Sequence, residues 1–88
     1  MSTPQLDSFA FVASETPGAR EAAARLAALY GQNDIAEASV IVALGGDGFM
    51  LQTLRETMNS GKRVYGMNRG TVGFLMNEYA EEHLRERV

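Results

Sequence analysis

Between residues 40 and 51 the chain reads VIVALGGDGFML. Asp47 stands among three glycines, Gly45, Gly46 and Gly48, where a five-residue apolar run gives way to apolar residues at helical spacing. Glycine has no Cβ, so its backbone N–H can come close to a phosphate, and a helix start favours an anion. An acid there would repel that phosphate and needs its own reason. A carboxylate can take the proton of an attacking hydroxyl, or it can hold a hydroxyl or a metal. A plain strand-to-helix turn, with Asp47 as cap, would use the same residues, and spacing alone leaves both open.

A second constellation is GMNRGTVGFLMN, residues 66–77. Gly66, Gly70 and Gly73 let the chain turn and approach a ligand, Asn68 offers an amide donor and acceptor, and Phe74 offers a face for a base. Phe74 and Leu75 could equally close a core. Neither stretch is the dinucleotide fingerprint, because Gly46-Asp47-Gly48-Phe49-Met50-Leu51 lacks the third glycine. Gly61-Lys62 is no P-loop either, having no glycine five residues earlier and no Ser or Thr after the lysine.

The elements that must position these residues follow from spacing. SFAFVAS, residues 8–14, predicts a buried strand. Thr16 as cap, Pro17 at the first helical position and Gly31 as stop bracket a helix with Ala19, Ala22, Ala23, Leu26 and Tyr30 on one side, and Glu21 with Arg25 as an i,i+4 pair on the other. VIVAL, residues 40–44, is apolar without alternation, as in a strand covered on both faces. Met50, Leu51, Leu54 and Met58 predict a second helix that Gly61 can end. KRVYGMN predicts a third strand, RGTVGFLMN a loop, and AEEHLRERV a charged helix. The expected fold is α/β, three-layered, with a mostly parallel sheet and right-handed βαβ crossovers. Ligands of such sheets bind beyond the carboxyl ends of the strands, and both glycine-rich stretches follow strands.

GGDG after an apolar strand, with a later G-x-N-x-G-x-x-G-F-L segment, resembles the ATP-NAD kinase family. The match spans roughly residues 38–78. Diacylglycerol-type lipid kinases and phosphofructokinases share something like GGDG, and the second segment tips the choice. The resemblance implies transfer of the ATP γ-phosphoryl group to the 2′-hydroxyl of the adenosine ribose of NAD, giving NADP. It would make Asp47 the proton acceptor, set Gly46, Gly48 and Asn68 at the nucleotide, and put Phe74 near the NAD adenine. Magnesium would arrive with ATP. Two departures stand out: Phe49 sits where the family commonly has threonine, and the family's β-rich second domain, with its Asn-Glu pair, is missing. Asn77-Glu78 comes too early to be that pair. Residues 1–88 therefore read as the amino-terminal α/β domain of a two-domain kinase, with little or no activity alone. A GGDG-type lipid or sugar kinase fragment and a non-catalytic nucleotide-binding or assembly module are the competing readings.

Bulk properties bound the rest. The chain has 88 residues, a net charge of -3, 45% hydrophobic residues and no cysteine. Disulfides and thiolate metal sites are excluded, and a cytoplasmic setting is the expectation. No basic cluster exists to displace counterions from nucleic acid, and no apolar run approaches the roughly 20 residues of a membrane span. A chain this short buries only about 60–65% of its unfolded surface. Apolar surface and sheet edges left bare by the missing domain predict association, with that domain or as a homo-oligomer of the full-length protein. His83, the Glu81–Arg85 pair and Arg55 read as solvated, Arg69 as near the site, and Met50, Met58, Met67 and Met76 as core filler.

Overall fold

The structure, a computed structural model, describes residues 8–68 and 76–81. Its elements in chain order are β1 (Phe9–Ala13), α1 (Pro17–Tyr30), β2 (Val40–Leu44), α2 (Asp47–Thr57), β3 (Arg63–Asn68) and β4 (Asn77–Glu78). All strand pairs are parallel, in the order β1-β2-β3-β4. The charged helix expected over 80–88 is not seen at Ala80 and Glu81, which are irregular; residues 82–88, with His83 and Arg85, lie outside the described residues.

Helix α1 begins and ends where its caps dictate. The Thr16 side chain accepts from the Ala19 N–H, Pro17 needs no partner at the first position, and Gly31 stops the helix at φ 87° with its N–H on Ala27 O. Its inner face of Ala19, Ala22 and Leu26 packs on Phe9, Phe11, Val40, Val42, Leu44 and Met67. Burying each large member of that set contributes about 1.5–3 kcal/mol. Arg25 makes an ion pair with Glu81.

All five residues of β2 are buried. That demands cover on both faces, and α2 supplies the second layer through Met50, packed with Ala43 and Met76 and flanked by Phe49, Val12 and Val64. Between α1 and β2 the chain passes the outer edge of β1 at Gln32 and Asn33 and reaches the other face, where Ala38 packs with Ala10 and Ile41.

Three more expectations change at α2 and beyond. Gly61 does not end the helix: α2 stops at Thr57, whose carbonyl is taken by Ser60 N–H and Oγ, and Gly61 serves the following turn at φ 75°. The inner face carries Met50 and Thr53, while Leu51, Leu54 and Met58 are exposed; of the methionines read as core, Met58 is the exception. Thr53 tolerates burial because its hydroxyl donates to Phe49 O at 2.9 Å. Finally, β4 starts at Asn77, the last residue of the segment taken as loop, and pairs with Met67 and Asn68. Two exposed polar residues carry no strand pattern, so pairing geometry alone makes this strand.

The outer edge of β1 is partly occupied, against the expectation of bare edges. The Gln32 amide donates to Phe11 O and accepts from Phe11 N–H, and Asn33 donates to Phe9 O from backbone and side chain.

Candidate functional site

A cleft of about 240 Å³ opens at the carboxyl ends of the strands, lined by Ser14, Thr16, Gly18, Ala19, Ala22, Leu44, Gly45, Gly46, Met67 and Asn68. Its floor is apolar and its rim polar, the usual form of a small-molecule site. The fold builds the rim from three strand ends. β1 runs out into Ser14 and Thr16, whose hydroxyls lie 3.2 Å apart. β2 runs out into Gly45, whose N–H donates to Met67 O at 3.1 Å. β3 ends at Asn68.

The glycines of the rim differ in what they do. A Cβ on Gly45 would meet Ser14 Oγ at 3.0 Å and Phe49 Cδ2 at 3.1 Å, so this glycine lets the ends of β1 and β2 close up against α2. At Gly46 and Gly48 a Cβ would point into open space, and neither has a positive φ. Nothing among the described residues asks for glycine there, and Gly48 inside a helix costs up to about 1 kcal/mol against alanine. Open backbone at a helix start suits a ligand that must lie against it. Gly66, read as a turn glycine, instead lies within β3, where its Cβ position is filled by Met76 Sδ and Met50 Sδ at 2.7 and 2.9 Å.

Asp47 is the first residue of α2, half-buried, with Gly46 as the cap. The capping role weighed for Asp47 thus passes to a residue without a side chain, and the Gly46 cap makes no side-chain hydrogen bond. Asp47 and Gly48 stand one and two residues beyond the cleft lining. The structure therefore brings Gly45, Gly46 and Asn68 together around one cleft, while Asp47 follows Gly46 in sequence without being part of the lining. Arg55 does not join them. It lies in the last turn of α2, eight residues or about 12 Å of helix from Asp47, and is exposed. Phe74, Gly70, Gly73 and Arg69 lie outside the described residues. Ser14, Thr16 and Gly18 were missed as site residues. Their signal was position: they follow β1 just as GGDG follows β2.

Among the described residues no three acids or histidines are grouped to hold a metal ion. No helix among the described residues is long and apolar enough to cross a membrane.

Comparison with known sequences bears on this geometry. The profile of the ATP-NAD kinase N-terminal domain matches residues 8–87. An NAD kinase of Mesorhizobium japonicum is 63% identical over 82 residues, which is 93% of this chain and 32% of that protein. An NAD kinase of Rhizobium meliloti is 60% identical over 84 residues, 96% and 33% of the two chains. One of Cereibacter sphaeroides is 64% identical over 86 residues, 98% and 33%. The chain spans about a third of the length of these curated relatives.

Proposed function

The chain belongs to the ATP-NAD kinase family, and from that premise we propose that it is the amino-terminal nucleotide-binding domain of an enzyme that phosphorylates NAD. The ribose 2′-oxygen of the NAD adenosine attacks the γ-phosphorus of ATP. Its proton passes to the Asp47 carboxylate, the new O–P bond forms, the bond from the γ-phosphorus to the bridging oxygen breaks, and ADP leaves with the bonding pair. Phosphoryl transfer is mostly positioning and charge stabilisation, and a carboxylate that orients and deprotonates the nucleophile is its usual protein contribution.

The observation that carries this reading is the bare backbone on either side of Asp47. Among the described residues Gly46 and Gly48 have no conformational or packing need to be glycine, and a nucleotide lying along the start of α2 supplies one. Asn68, across the cleft, would hold a polar group of that nucleotide, and Phe74 its adenine. Magnesium would enter on the ATP phosphates. Phe49, where the family commonly has threonine, gives the site no hydroxyl at that position. A cytoplasmic setting and a homo-oligomer of the whole protein go with this reading. So does weak or absent activity of the 88-residue chain by itself, since the relatives are three times as long and a half-built site holds its substrate without orienting it.

The test is acceptor competition in the longer protein that carries this chain. With ATP and magnesium, NAD should be converted to NADP, and neither a diacylglycerol nor a sugar phosphate should compete. Phosphorylation of either of those in preference to NAD would replace this proposal with the lipid- or sugar-kinase reading.

A further inference from the structure

We infer that the segment Tyr79–Glu81 is a positioning strap: it ties the end of β3 to α1 and so fixes the width of the cleft between Thr16 and Asn68. The inference rests on reading that cleft as the nucleotide site. Helix α1 lies over β1 and β2, whereas Asn68 ends β3 on the other side of the cleft. Some contact must set the distance between them.

The strap is fastened at both ends. On the β3 side, Asn77 and Glu78 pair with Met67 and Asn68, the Tyr79 N–H donates to Asn68 O at 3.2 Å, and Asn77 Nδ2 donates to Gly66 O at 3.0 Å. On the α1 side, Arg25 forks onto the Glu81 carboxylate, with Nε to Oε2 at 2.6 Å and Nη2 to Oε1 at 3.3 Å. The Tyr30 hydroxyl donates to the Glu81 backbone carbonyl, and the Tyr79 hydroxyl donates to Glu81 Oε2 at 2.7 Å. The Tyr79 ring rests on the apolar cluster that holds α1 to the sheet. Arg25 and Tyr30 lie 56 and 51 residues from Glu81 in sequence, so the contact closes the α1 face from β3 back to the helix.

A fork of this kind is strongly directional, yet Arg25 is 60% exposed, and exposed ion pairs add little to stability. High directionality with little stabilisation is the signature of a contact that sets a distance. Tyr79 keeps its proton under ordinary conditions, because burial and the neighbouring Glu81 carboxylate push its phenol up to about 12. It therefore stays a donor.

The experiment is Glu81→Gln in the 88-residue chain, read by amide resonances and urea unfolding. The expected result is a shift of the Asn68, Gly45 and Gly46 amides with a nearly unchanged urea midpoint, and recovery of those positions in the swapped pair Arg25→Glu with Glu81→Arg. In the longer protein the same substitution should raise KM for nucleotide a few-fold and leave kcat nearly unchanged. Amides at Asn68, Gly45 and Gly46 that stay in place overturn the strap, as does a general loss of stability that the swap does not restore. Amide shifts with rescue, in a longer protein that makes no NADP, would leave the strap standing and remove the kinase reading.

Discussion

At Gly45 a side chain has nowhere to go, and three residues later, at Gly48, it has open space. On the proposed reading that contrast separates glycines that serve the fold from glycines that serve a ligand, and it can be measured. Gly45→Ala should cost about 1–3 kcal/mol in urea unfolding, the usual price of overpacking. Gly48→Ala should leave stability unchanged or raise it by up to about 1 kcal/mol, yet weaken nucleotide binding. The sequence did not separate them, because glycine has the same letter in both roles. It marked Asp47 as a candidate, since a turn does not by itself require an acid between glycines, and left the capping role open. Ser14 and Thr16 escaped notice as site residues because hydroxyls are common after strands, and only the shared sheet edge shows what they face. Titration gives a third residue-scale test. Tyr79 has a folded pKa of about 12 against an ordinary 10.0. A raised pKa stabilises the fold fully below the unfolded value, and that contribution is lost as pH rises through the folded value. Stability should hold to about pH 10 and fall between 10 and 12, with phenolate absorbance appearing in the same interval.

The legibility of an element depended on whether its ends and faces were marked by chemistry or by neighbours. α1 was readable from Thr16 to Gly31 because its cap, its proline and its stop are local signals. β2 was readable as doubly covered because five apolar residues leave no polar face. α2 misled because Leu51, Leu54 and Met58 keep helical spacing while the sheet takes the neighbouring stripe of Met50 and Thr53. Spacing reveals a helix but not which stripe its partner selects. The two-residue β4 was unreadable for a related reason, since it is set by what packs next to it. The difference in faces predicts a difference in cost. Leu26→Ala, at a fully buried position, should lose about 2–5 kcal/mol. Leu51→Lys or Met58→Lys should change stability by no more than about 0.5 kcal/mol and reduce self-association in light scattering. If Met58→Lys unfolds the chain, the assignment of that stripe to the surface is wrong.

At the scale of the whole molecule, three strand ends and the start of one helix converge on a single edge, and the family match runs across nearly all of the chain. The relatives are about three times longer, and on the proposed reading this chain contributes one wall of the site. Purified alone, the 88-residue chain should form no measurable NADP. Robust turnover by it would show that the site is complete here. The most direct measurement of the central claim is the rate of NADP formation by the longer protein carrying Asp47→Asn. The account predicts a fall in kcat of about 100- to 10,000-fold, the range for removal of a positioned general base, with an unchanged urea midpoint. A folded Asp47→Asn protein that turns over at the parent rate would contradict it.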